Sequence, residues 1–180
     1  MKKLFALMLA LCLMLGCTAV AETAELDWAS VLAQNPDLEA NGTYQQISLG
    51  EAGTIVYWVP NDLAPVDVNT IEAEVPPIAA FGGVDEDGTA YTLSVFALQI
   101  TSLEEYSAGL KEQGADVDNA QLVIANGIQT VAIEAPALGI DLLLIPVTET
   151  MILVYTFTPQ SGEVWDQVKT YIVSSIQLAQ

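Results

Sequence analysis

Apolar runs rich in β-branched residues, broken by short polar corners, dominate the chain from Gln121 to Phe157. Leu122 to Ala125 and Ile128 to Ile133 flank Asn126-Gly127. Asn-Gly is the strongest short hairpin signal, because a type I′ turn needs positive φ at both central residues. Ile140 to Val147 and Met151 to Phe157 follow, split by Thr148-Glu149-Thr150. The pattern predicts neighbouring antiparallel strands, too apolar to stand uncovered and flanked by helices suited to cover them.

Upstream, the same logic predicts strands over Thr43 to Leu49 and Thr54 to Val59, and a hairpin of Ile78 to Val84 with Thr89 to Ile100. Asp85-Glu86-Asp87-Gly88 is its turn. Periodicity is lost from Leu63 to Pro77, which predicts a loop. Helical spacing appears in four places. Asp27 can cap a short helix through Ala33, and Asn35-Pro36 fits the start of another that stops at Asn41-Gly42. Ser102 and Glu105 form a capping box before Leu103, Tyr106 and Leu110, with Gly114 as the stop. Ser161 can cap a last helix, whose Val164, Val168 and Ile172 form a stripe widened by Trp165, Tyr171 and Ile176.

The first residues change the picture of where this domain works. Met1-Lys2-Lys3 is basic, Leu4 to Leu15 is apolar, and Ala19-Val20-Ala21 is a small-x-small site. These are the parts of an export signal spanning 1–21, leaving a single domain over 22–180 in an extracellular or cell-envelope location. Met14-Leu15-Gly16-Cys17 supports an alternative, a lipoprotein signal over 1–16 with Cys17 acylated. Cys12 lies within the signal, so cleavage after Ala21 leaves no thiol for catalysis or a disulfide.

Charge then removes whole classes of function. All 23 acids lie at or after Glu22, against only Lys111 and Lys169 beyond the signal, and the chain has neither arginine nor histidine. Nucleic-acid binding is excluded because phosphate contacts need Lys or Arg. Membrane contact is expected only through an acyl anchor. Solubility outside the cell is the plainest reading of the acidity, with cation binding or a salty habitat as the alternatives. Just over half the residues are hydrophobic (52%) and only 15% are charged, so apolar surface is left over for a partner protein.

From Ala79 onward the order is a hairpin, a helix opening on Ser102-Leu103-Glu104-Glu105-Tyr106, the Asn126-Gly127 hairpin, two long strands and a final helix into Ile172-Val173-Ser174-Ser175-Ile176. This layout resembles the PsbP-like fold, shared by an extrinsic photosystem subunit, a Ran-binding import factor and assorted bacterial exported proteins. The likeness covers roughly Thr43 to Gln177. It implies an α+β domain, an antiparallel sheet sandwiched by helices, and a non-enzymatic accessory or binding role. The metal-binding histidines of photosynthetic members have no counterpart here, so no functional residue is carried over.

Candidate chemistry is sparse. Without histidine no Ser-His-Asp or Cys-His set exists. A Ser-Lys pair is formally open, but Lys111 and Lys169 read as solvated helical lysines. Paired carboxylates about 5 to 10 Å apart would suit a small glycoside hydrolase, with the loop from Asn61 to Glu74 lining its cleft. Asp85 and Asp87, two apart and followed by Gly88, would suit calcium in a surface module, although the loop lacks EF-hand spacing and equally fits a plain turn. Adjacent strand residues Tyr57 and Trp58 point to opposite faces, so one is a candidate for stacking on a ligand, against core packing of both. The expectation is an exported, non-catalytic binding or accessory protein, its partner an unidentified protein or small ligand, with no cofactor other than the calcium alternative.

Overall fold

A computed structural model describes residues 23–179. The export signal, the lipobox with Cys17, and Cys12 lie outside the described residues. Fourteen elements follow in order: β1 (Ala24–Leu26), α1 (Trp28–Gln34), β2 (Gly42–Ser48), β3 (Thr54–Pro60), β4 (Ala64–Pro65), β5 (Ala79–Val84), β6 (Ala90–Gln99), α2 (Leu103–Glu112), β7 (Gln121–Ala125), β8 (Ile128–Ala135), β9 (Ile140–Pro146), β10 (Met151–Thr158), α3 (Glu163–Ser175) and β11 (Gln177–Ala179).

The strands form two sheets. An eight-stranded sheet runs β1-β7-β8-β9-β10-β6-β5-β4, and a three-stranded sheet runs β11-β3-β2. Pairing is antiparallel throughout except that β1 lies parallel to β7. Alternation along each central strand sends side chains to two cores. Leu142 and Leu144 of β9 and Ile152 and Val154 of β10 meet Leu103 and Leu110 of α2. Leu143, Ile145, Leu153 and Tyr155 face the other way, onto Ile55, Tyr57 and Val59 of β3 and onto Trp165, Ile172 and Ile176.

The helix-sandwiched sheet expected from the sequence is therefore corrected on one face. Helix α2 covers one side; a second sheet together with α3 covers the other. The reason lies in β3, where residues on both faces are buried, so it must be an inner layer and not an exposed hairpin arm.

Local chemistry explains most boundaries. Asp27 accepts the Ser30 N–H at 2.9 Å and caps α1. Ser102 accepts the Glu105 N–H at 3.1 Å and opens α2. The segment after Pro36 is a turn and a short 3-10 helix at Glu39–Asn41, not an α-helix. Helix α3 starts after Gly162, and Ser161 does not cap it; the Gly162 N–H instead donates to Asp166 of the helix's own first turn. Its buried stripe runs through Trp165 and Ile172, while Val164 is 72% exposed and falls outside it.

The last turn of α3 and β11 together close the edge of β3. Strand β11 pairs with Thr54 to Val56, and two residues further on Ser175 Oγ accepts the Trp58 N–H at 2.8 Å. Asn126 fastens this end to the large sheet. Its φ of 47° is the left-handed conformation that the turn needs. Its Nδ2 donates to the carbonyls of Ser174 and Ile176 at 2.6 and 2.8 Å, and its Oδ1 accepts the Trp28 N–H at 3.0 Å.

Tyr57 and Tyr155 meet edge to face between the sheets, ring centroids 5.3 Å apart, with both hydroxyls buried and without a hydrogen-bond partner among the described residues. Burial raises the pKa of both, and for Tyr155 the neighbouring Tyr57 adds to the shift. Tyr106 is raised to about 12 by burial. A tyrosine raised in the folded state contributes stability that is whole below its ordinary pKa of 10 and is lost as pH rises beyond it. The buried pair alone is expected to remove about 3 kcal/mol of unfolding free energy at pH 11, at ~1.4 kcal/mol per group per pH unit. Urea titrations at pH 9, 10 and 11 check this; a flat midpoint across the series refutes it.

Candidate functional site

The β8–β9 register sets Glu134 opposite Asp141 and Ala132 opposite Leu143. On the face shared with α3 this makes a polar row beside an apolar one. Phe157 lies opposite Asp141 on the next strand. Helix α3 crosses above and presents Asp166, Lys169, Thr170 and Val173, and β1 adds Leu26 at the rim. Together they enclose an open cleft of about 420 Å³, with an apolar floor and acids from Asp116 and Glu134 at its mouth.

Among the described residues, Lys169 is the one basic group lining this cleft. Its side chain is only 13% exposed. Nζ lies 2.6 Å from Asp141 Oδ2 and 2.7 Å from Asp166 Oδ1, and also donates to the Gln160 carbonyl. The solvated lysine expected at this position is therefore corrected: at four residues from Trp165 and three from Ile172, Lys169 shares the inward side of α3. That spacing was the available signal. The hydrogen bond from Lys169 holds the Asp166 carboxyl below its ordinary range. Lys111 is the exposed one, paired with Asp118 at the surface.

The other candidates lie elsewhere. Asp85 Oδ1 accepts the N–H groups of Asp87 and Thr89, and Oδ2 accepts the Tyr91 hydroxyl at 2.6 Å. The Tyr91 bond, aided by the turn amides, lowers its pKa. Both oxygens thus serve the β5–β6 turn, and Asp87 is exposed beside it. Among the described residues no three His, Cys, Asp or Glu side chains converge as a metal site.

Tyr57 and Trp58 do point to opposite faces, but neither is open to a ligand, with 0% and 1% exposure. Tyr57 sits between the two sheets. Trp58 lies under Trp28, ring centroids 5.7 Å apart, and against Gly42, where any side chain would collide with its indole. The loop from Asn61 to Glu74 contributes nothing to the cleft, because Leu63 anchors it in the core and Ala64–Pro65 pairs with β5. No helix among the described residues is long and apolar enough to cross a membrane.

No protein-family model matches this chain, and no curated protein matches it. Solved structures similar to it include the solution structure of cyanobacterial PsbP (CyanoP) from Synechocystis sp. PCC 6803, at 17% identity and a TM-score of 0.43, covering 76% of this chain and 93% of that one. A crystal structure from Bacteroides thetaiotaomicron VPI-5482 is similar at 12% identity and a TM-score of 0.38, covering 70% of this chain. This chain spans 45% of that protein's length. The first likeness is to the family that the sequence layout resembles, at a level that carries no argument about site, ligand or partner.

Proposed function

We propose that this protein is an exported, non-catalytic binding protein, and that the cleft under α3 seats a small ligand with an apolar body and a cationic head. The observation that carries this is the lining itself. Leu26, Ala132, Leu143 and Val173 offer apolar surface, while Asp116, Glu134, Asp141 and Asp166 outnumber Lys169 four to one. Such sites bind by burying an apolar body and fixing it with a few polar groups.

Two features weigh against catalysis by paired carboxylates. Asp141 and Asp166 are both held in ion pairs with Lys169. The shift of Asp166 is downward, whereas a general acid is raised.

The test is an NMR titration with hexylamine and with hexanoate, which share a carbon skeleton and differ in charge. The amine is expected to bind about tenfold more tightly, ~1.4 kcal/mol, shifting amides of Ala132, Leu143 and Val173. Ala132→Phe, which fills the floor, is expected to abolish that response. Tighter binding of hexanoate overturns the charge assignment, and silence from both compounds overturns the cleft as a binding site.

A further inference from the structure

Two hydrogen bonds fix which backbone groups of β2 are in use. The Leu49 N–H donates to the Gly53 carbonyl at 2.8 Å, and the Asn61 N–H donates to the Asn41 carbonyl at 2.9 Å. With the β2–β3 register between them, antiparallel alternation places Thr43, Gln45 and Ile47 in the ladder. Tyr44, Gln46 and Ser48 then direct their N–H and C=O groups outward. The ladder's far side agrees: Trp58, opposite Tyr44, sends its N–H away from β2 to Ser175.

Sheet edges left open in this way are ready templates for another strand, and proteins usually blunt them. Among the described residues the other three edges are blunted by length: β1 and β11 have three residues each and β4 has two. Strand β2 has seven, Gly-Thr-Tyr-Gln-Gln-Ile-Ser, without a charge or a proline. Tyr44, Gln46 and Ser48 are exposed. Alongside the edge runs a groove of about 390 Å³, lined by Ile47, Leu49, Ile78, Ala97 and Met151, which would receive alternate side chains of an added strand.

We propose that the free edge of β2 docks an extended, basic peptide segment of a partner protein, which joins the small sheet as a fourth strand. Charge selects this occupant. Glu39, bonded to the Tyr44 hydroxyl at 2.9 Å, stands at one end of the edge, and Glu51 stands in the turn at the other. Both lysines of the described residues are engaged elsewhere, with Asp118 and with Asp141 and Asp166. A second copy fits less well: antiparallel pairing centred on Gln46 would bring Glu39 of one copy towards Glu51 of the other, and like charges in such positions repel. The surface shares no residue with the cleft under α3 and stands independently of it.

The experiment follows amide hydrogen exchange in the full domain, with the synthetic peptide Lys-Lys-Val-Thr-Val-Thr-Val-Lys-Lys as probe. Without peptide, the amides of Tyr44, Gln46 and Ser48 are expected to exchange fast and those of Gln45 and Ile47 slowly. Saturating peptide is expected to slow the first group about tenfold or more. A counterpart with glutamate in place of lysine is expected to have no effect, as is a peptide N-methylated on alternate residues. Gln46→Pro removes one outward N–H and no ladder bond, a place where proline is tolerated, so it should abolish binding in a folded protein. Binding that survives both Gln46→Pro and N-methylation overturns the proposal. So does the absence of protection at any peptide concentration. Protection that grows with protein concentration alone, with a dimer by light scattering, replaces the peptide with a second copy.

Discussion

Replacing Asn126 with alanine is expected to lower the unfolding free energy by about 4 kcal/mol, counting three lost hydrogen bonds at ~1 each and the strain of alanine at positive φ. The side chain ties its own hairpin turn to two segments distant in sequence: the start of α1, through the Trp28 N–H, and the last carbonyls around the end of α3, at Ser174 and Ile176. Its own N–H adds a fourth tie, to the Leu26 carbonyl at 2.9 Å. Glycine separates turn from clasp. Asn126→Gly keeps the φ of 47° unstrained and is expected to lose about 3 kcal/mol. Asn126→Asp retains the acceptor but faces two carbonyls with a carboxylate, and should be at least as damaging as alanine. Urea denaturation of the three variants decides the matter. A glycine variant as stable as the parent would reduce Asn126 to an ordinary hairpin residue.

Lys169→Met is expected to cost about 3 kcal/mol, the range for removing one partner of a largely buried ion pair. It leaves Asp141, 24% exposed, without its cation and directly across from Glu134. The methionine keeps the apolar stem, so lost packing is not the cause. Lys169→Met combined with Asp141→Leu removes both charges, and should regain most of the lost stability. A double variant as weak as the single one would show that Lys169 acts through Gln160 or Asp166 instead.

Much of the fold was legible because its hairpins are local. Asn126-Gly127 and Asp85 to Gly88 announce their turns by residue type, and the strands between them are apolar enough to place. The missing parts are those whose partners are far away. Strands β1 and β11 have three residues each, too few for a period, and exist only because β7 and β3 offer them an edge. The second sheet was hidden for a related reason. The β2–β3 hairpin was visible, but nothing in its own sequence said that it would lie over another sheet rather than under a helix. Asn126 was legible as a turn former and not as a clasp, since its side-chain partners lie 48, 50 and 98 residues away. The cleft arises between α3 and strands that precede it, so no single motif encodes it. Only the placement of Lys169 on the inward side of its helix gave notice.

The joint between β3 and the end of α3 also sets the order in which the molecule can be made. Trp58 precedes Ser175 by 117 residues, so a chain delivered N-terminus first, in synthesis or in export, presents the middle strand of the small sheet long before the segment that shields its edge. Contacts of such separation are slow to form. The early hairpin must wait, edge open, while the large sheet follows behind it. Completion is then a late, concerted event, and a nascent chain stalled short of Ser174 is a ready substrate for chaperones or proteases.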